Sequence, residues 1–174
     1  MQSKFNIADE NITVTGFYRS NLEISVVPCE EENKQTQLND IIAAAPKLPS
    51  IVYVTQQQTA EQVASSLIRL GINAHAYHAG MKSDIREKIQ QQFMDSQIDC
   101  IVATIAFGMG VDKSDIRRVI HFDLPKSIEN YAQEIGRAGR DGQRSECILL
   151  GNTSGLTVLE LSLIHISEPT RRKR

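Results

Sequence analysis

The sequence predicts an α/β fold, a mostly parallel sheet with helices on both faces, and three observations predict it. From about Ile12 onward, short β-branched runs alternate with longer segments of helical spacing. The runs Ile51-Val-Tyr-Val54 and Ile98 to Ala103 are apolar nearly throughout, as strands buried on both faces are. The 174 residues, 41% apolar and 23% charged, are enough for one domain with its own core and too apolar for a disordered chain.

Each element follows from local pattern. Asn21-Leu-Glu-Ile-Ser-Val-Val27 alternates apolar and polar residues and reads as a first strand ending at Pro28. Glu30 to Ala45 follows as a helix with Leu38, Ile41, Ile42 and Ala45 on one face, stopped by Pro46 and Pro49. After the strand Ile51 to Val54, the spacing of Thr59-Ala-Glu-Gln62 is that of a capping box. It predicts a helix opening at Thr59, turning Val63, Leu67 and Leu70 inward and closing at Gly71. Ala74 to Tyr77 is the next strand and His78 to Gly80 a turn. Ser83 then caps a helix whose Ile85, Ile89 and Phe93 recur every four residues. Ile98 to Ala103 is the most hydrophobic strand and Val119 to Phe122 another. Ser127 opens a further helix, and Cys147 to Leu150 supplies the last strand.

Composition narrows the function classes. Nineteen Lys and Arg against 21 Asp and Glu give a net charge of −2, so any nucleic-acid site must be local rather than a property of the whole surface. Cys29, Cys100 and Cys147 lack the paired spacing of thiolate metal sites or secreted frameworks, which implies a reduced, cytoplasmic setting. No metal spacing links them to the histidines. The longest apolar run, around Ile101 to Met109, falls far short of the roughly 20 residues that span a bilayer, so no membrane partner is expected. Residues 161–174 are set aside as a non-native tail, because Leu161 to Arg171 resembles a translated transposon-end adapter used in sequencing libraries. On that expectation the gene is cut short here.

In parallel sheets ligands gather at the carboxyl ends of strands, which singles out the loops after Val54, Tyr77, Ala103 and Phe122. The helix from Ser127 carries the sharpest signal. Ile128, Tyr131, Ala132 and Ile135 form an inward stripe, while Gln133, Arg137 and Arg140 form a second stripe pointing away from the domain. Gly136 and Gly139, each costing about 1 kcal/mol inside a helix, imply that another body comes close there. Spacing alone leaves two readings open: guanidiniums aimed at the charge on a transferring phosphoryl group, or two solvated arginines on a helix that Gly139 caps. Ala106-Phe-Gly-Met-Gly-Val-Asp112 follows the most apolar strand with two glycines that let a backbone approach a sugar or phosphate, though a tight turn explains it equally. Thr104 offers a hydroxyl and a free backbone N–H at a strand end. His78 has no carboxylate nearby in sequence and receives no acid/base role, and Lys113 reads as solvated.

Together these residues resemble a family. Tyr77-His-Ala-Gly-Met81, Val102-Ala-Thr-Ile-Ala-Phe-Gly-Met-Gly-Val-Asp-Lys113, His121-Phe-Asp-Leu-Pro125 and Tyr131-Ala-Gln-Glu-Ile-Gly-Arg-Ala-Gly-Arg-Asp-Gly142 are similar, in order and spacing, to the second RecA-like domain of RecQ-family DNA helicases. The likeness runs from about Gly16 to Leu150, and Phe17-Tyr-Arg-Ser-Asn-Leu22 resembles the family's Phe-x-Arg-x-Asn-Leu at the join between two motor domains. The resemblance implies that residues 1–20 end that join and residues 21–160 form the domain. It implies a 3′-to-5′ motor half acting in recombination and repair, in which Arg137 and Arg140 reach toward ATP with Mg²⁺ held mainly by the first domain of the same full-length chain. Arg140 is the finger by this likeness. Gln133 couples the cleft, and Gly110 and Asp112 lie near the ribose. Thr104, His78 and Gly80 follow the single-strand backbone. Val54-Thr-Gln-Gln-Gln58 departs from the usual Ser-Arg ending, leaving Thr55 as the DNA contact there. No GxxxxGK[ST] phosphate loop and no Asp-Glu-x-His occur, so the chain alone is expected not to hydrolyse ATP. An RNA helicase half and a non-catalytic phosphate-binding module are the alternatives.

Overall fold

The computed structural model describes residues 19–104, 107 and 111–151. Gly110 and the tail at 161–174 lie outside the described residues. The elements run β1 (Leu22–Pro28), a 3₁₀ turn (Glu31–Asn33) leading into α1 (Lys34–Ala43), β2 (Ser50–Tyr53), α2 (Gln57–Arg69), β3 (Ala74–Tyr77), α3 (Ser83–Met94), β4 (Cys100–Ala103), β5 (Arg118–His121), α4 (Ile128–Ile135) and β6 (Ser145–Gly151).

Six strands form one sheet in the order β1-β6-β5-β2-β4-β3, every adjacent pair parallel. The two apolar runs that read as buried strands are its centre. β2, β4 and β5 are buried along their whole length, whereas β1 lies at an edge and is largely exposed. Alternation along each strand sends successive side chains to opposite faces. Val52, Val54, Val102 and Ile120 pack under Leu38 and Ile42 of α1 and Ala60, Val63 and Leu67 of α2. Ile51, Tyr53, Ile101 and Val119 pack under Ile89 and Phe93 of α3 and Tyr131 and Ile135 of α4. Helices therefore cover both faces, as predicted. Phe107 plugs the second core, edge-on to Tyr77 at 4.7 Å and to Phe93 at 5.8 Å. Aromatic pairs of this kind add about 0.5–1.5 kcal/mol beyond area burial, so Phe107 is held in this core by its ring contacts.

Local signals at helix starts met mixed fates. Ser127 caps α4 as expected, its hydroxyl accepting from the Asn130 N–H at 3.2 Å. Thr59 does not cap α2. The Ala60 N–H already bonds to the Gln56 carbonyl, so the helix starts a turn's fraction earlier and Thr59 lies inside it. Ser83 is likewise the first residue of α3 rather than its cap, because Arg86 bonds back to the Lys82 carbonyl; the Ser83 hydroxyl donates to Glu87 at 3.3 Å instead. Among the described residues, no helix is long and apolar enough to cross a membrane.

Candidate functional site

Register sets the first group of predicted residues in a row. Tyr53 lies level with Ala103 on one side and His121 on the other, and Ala103 with Tyr77, so the residues just past these strands share one edge. Asp123, Thr55, Thr104 and His78 follow one another across β5, β2, β4 and β3, a span of about 15 Å at ~4.8 Å per strand. Thr55 donates through both its backbone N–H (2.7 Å) and its hydroxyl (2.9 Å) to Asp123 Oδ2, stapling the ends of β2 and β5. A cavity of about 20 Å³ opens beside this staple, lined in part by His121, Pro125 and Lys126.

His78 is buried, and its Nε2 meets Glu61 Oε1 at 2.9 Å. The carboxylate that sequence proximity did not offer comes from α2, 17 residues earlier. A Cβ on Gly80 would collide with the Gln57 side-chain oxygen and sit 3.2 Å from His78 Nδ1, so the bare backbone belongs to a close approach within the domain. Thr104 corrects an expectation. Its N–H is not free but donates to the Tyr77 carbonyl at 3.2 Å, and its own carbonyl accepts from Phe107 at 3.0 Å.

The second group sits apart from this row. α4 ends at Ile135, so Gln133, Arg137 and Arg140 do not form one helical stripe. Gln133 is exposed on α4, but beyond Gly136 the chain makes a turn in which Ala138 is buried and Gly139 takes φ +54°, the left-handed region that glycine tolerates. The Gly139 N–H bonds to Ile116 at 2.8 Å and the Asp141 N–H to Ser114 at 3.2 Å, which fixes the turn on the segment entering β5, away from the carboxyl edge. Burying Ala138 rotates its neighbours in different directions. Arg137 is half-buried and hydrogen-bonds to the Tyr53 hydroxyl, contrary to the outward direction expected of it. Burial pushes that hydroxyl well above the usual phenol range, and the Arg137 charge offsets part of the rise. Arg140 stays at the surface, its Nη1 2.6 Å from Oδ1 of the exposed Asp112. The body that approaches Gly139 is the domain itself: a Cβ there would stand 2.6 Å from Asn21 Nδ2, Gln143 O and Ser145 Oγ alike.

Two buried polar centres escaped the sequence. Lys113 is 5% exposed, not solvated; its ammonium meets Ser96 Oγ at 2.8 Å and Asp115 at 3.0 Å, above the Phe93 ring. His121, 1% exposed, pairs through Nε2 with Glu134 Oε2 at 2.7 Å, its ring stacked on Tyr53 and tilted against Tyr131. The i, i+3, i+4 spacing of Tyr131, Glu134 and Ile135 is the one local hint that Glu134 turns inward. Among the described residues, no three His, Cys, Asp or Glu converge as metal ligands.

The model of the helicase conserved C-terminal domain matches residues 33–142, which include α1, the carboxyl edge and the arginine turn. The chain belongs to this helicase C-terminal domain family. Within it, this helicase domain is of the RecQ type. It is 41% identical over 169 residues to the mouse bifunctional 3′-5′ exonuclease/ATP-dependent helicase WRN, covering 91% of this chain and 12% of the relative. It is 39% identical over 171 residues to the ATP-dependent DNA helicase RecQ of Bacillus subtilis, covering 98% of this chain and 28% of the relative. The helicase domain thus spans between about an eighth and a little over a quarter of the length of these two relatives. Its fold matches a DEAD box protein from Methanococcus jannaschii with a TM-score of 0.77 at 26% identity, over 87% of this chain and 41% of that one. The E. coli DEAD-box protein SrmB matches with 0.76 at 24%, over 87% and 89%. The parallel six-stranded sheet is RecA-like, as the resemblance implied.

Proposed function

We propose that this chain is the second motor domain of an ATP-dependent DNA helicase, and that Arg140 is the residue it extends toward the triphosphate. The observation that carries the reading is Arg140 itself: a surface guanidinium on a turn whose backbone is pinned by Gly139 and Asp141, paired with one exposed carboxylate. Exposed ion pairs are worth about 0–1 kcal/mol, so Asp112 holds the guanidinium without committing it. A triphosphate carries more charge and several planar-fork acceptors, and exchange from Asp112 to phosphoryl oxygens is favourable. Arg137, half-buried beside Tyr53, is the second guanidinium of the pair and lies nearer the body of the domain. Gln133 and Asp112, both exposed, are assigned to the nucleotide side by family likeness, as is Gly110, which lies outside the described residues.

ATP with Mg²⁺, held mainly by the first RecA-like domain of the same full-length chain, supplies the phosphoryl group whose transfer to water drives movement. The present residues bind and orient; they do not prepare the attacking water, and the isolated chain is read as inactive. At the carboxyl edge, Thr104, His78 and Gly80 face a DNA backbone passing along β4 and β3. Thr55, its hydroxyl donated to Asp123, secures the strand ends beneath that path. The 3′-to-5′ polarity comes from family likeness, and the names of the RecQ relatives support DNA over RNA.

The test uses the full-length helicase chain. Arg140→Ala should lower DNA-stimulated ATP turnover about 10³-fold or more while single-stranded DNA binding persists. Mixing this chain with a separately made first domain should restore turnover that neither shows alone. A loss of less than about tenfold in Arg140→Ala overturns the reading.

A further inference from the structure

Past Ile135 the helix carbonyls of Ala132, Glu134 and Ile135 are met by the N–H groups of Gly136, Arg137 and Ala138, but the carbonyls of the turn that follows need partners from elsewhere. Here two side chains from the segment leading into β1 supply them. Arg19 donates through Nη1 to the Gly136 carbonyl at 3.0 Å and through Nη2 to the Gly139 carbonyl at 2.5 Å. Asn21 Nδ2 donates to the Gly139 carbonyl and to the Gln143 carbonyl, both at 2.9 Å. The Asn21 carbonyl in turn accepts from the Ser145 N–H at 2.9 Å, which locks the clamp to the start of β6. One guanidinium therefore bridges two carbonyls that bracket Arg137, the second of them belonging to the residue before Arg140.

We propose that Arg19 and Asn21 are positioning residues for Arg140: they hold the turn that presents it, so the chain entering β1 controls how well that guanidinium is aimed. Three features support this. The donors reach the turn from about 120 residues away in sequence, so the contact is made by the fold and not by local helix chemistry. The planar fork of arginine matches two carbonyls at once, which the single ammonium of lysine does not. Asn21 approaches so closely that Gly139 has no room for a side chain, as a built contact requires. Arg19 lies three residues before β1, so a shift in the entering segment moves the clamp and, through it, the arginine turn. A misplacement of about 1 Å at a reacting centre costs on the order of 10²-fold in rate.

This rests on Arg140 facing the triphosphate, and the experiment separates the two ideas. In the full-length helicase chain, Arg19→Ala should lower saturated DNA-stimulated ATP turnover about 10²-fold with KM for ATP changed less than about threefold. Arg19→Lys should remain at least about tenfold down, since it keeps the charge and loses the fork. In combination with Arg140→Ala, Arg19→Ala should add almost nothing, because both act through one guanidinium. Amide hydrogen exchange should quicken at Gly139 and Gly142 and stay slow in β2 and β4. Additive losses, turnover within about threefold of the unmodified chain, or exchange quickened throughout the sheet would each overturn the proposal. Should Arg140→Ala itself leave turnover intact, the reading of Arg140 fails and the positioning role falls with it.

Discussion

Replacing Gly139 with alanine probes the arginine turn without touching an arginine. Two costs add. The residue sits at φ +54°, where a non-glycine residue loses about 1–2 kcal/mol. Its new Cβ would stand 2.6 Å from Asn21 Nδ2, Gln143 O and Ser145 Oγ, so the two Asn21 hydrogen bonds must open, each worth about 1 kcal/mol net. The sum is about 3–4 kcal/mol, or a fall of roughly 10 °C in melting temperature for a domain of this size. Gly142 is the internal control. At φ +81° with nothing within 4 Å of a Cβ, Gly142→Ala should cost only the conformational part, about 1–2 kcal/mol. Urea titrations of the three proteins, read at unchanged m, yield the difference directly. If Gly139→Ala is no more destabilising than Gly142→Ala, the Asn21 clamp contributes nothing to the stability of this turn, and the packing reason for a glycine at 139 is refuted.

Three further outcomes are expected. Glu134→Ala leaves His121 buried without its carboxylate and should cost about 2–4 kcal/mol in a urea titration, whereas Glu134→Gln, which keeps an acceptor, should cost under half as much. Burial pushes the thiols of Cys100 and Cys147 up to about 12, so a disulfide reagent at pH 8 should leave both unmodified in the native protein and label them on unfolding; labelling at the rate of a small thiol contradicts this. The Arg117 hydrogen bond holds the Asp141 carboxyl below its ordinary value, which stabilises the fold above the unfolded pKa near 4 and ceases to do so as pH falls through the folded one. The stability gap between the native sequence and Asp141→Asn should therefore be larger at pH 7 than at pH 2.5, and a gap independent of pH refutes the assignment.

Strand and helix placement was legible because burial on both faces leaves a mark in composition: Ile51 to Val54 and Ile98 to Ala103 admit few polar residues. Helix starts were less so. Ser127, Thr59 and Ser83 all have side chains able to cap, and which one does depends on where the preceding strand delivers the backbone. The end of α4 was missed because Gly136 and Gly139 read equally well as glycines within a helix and as the start of a turn, and the choice is made by Ala138 finding the core. Pairings across long sequence distance left no local trace at all. Glu61 reaches His78 from another helix, Lys113 reaches the far end of α3, and Arg19 reaches Gly139 across most of the domain. The carboxyl edge, by contrast, was expected from topology, and Thr55, His78 and Thr104 do stand along it.

Placing β1 beside β6 has a mechanical consequence. Because the two run parallel, chain entering at Leu22 and chain leaving at Gly151 sit at opposite ends of the same pair, joined at seven consecutive positions. Tension applied through the two ends drags these ribbons past each other lengthwise, so all the rungs between them must yield together instead of opening one by one. Strain arriving along the chain is thus shared across the ladder before it can peel the edge of the sheet.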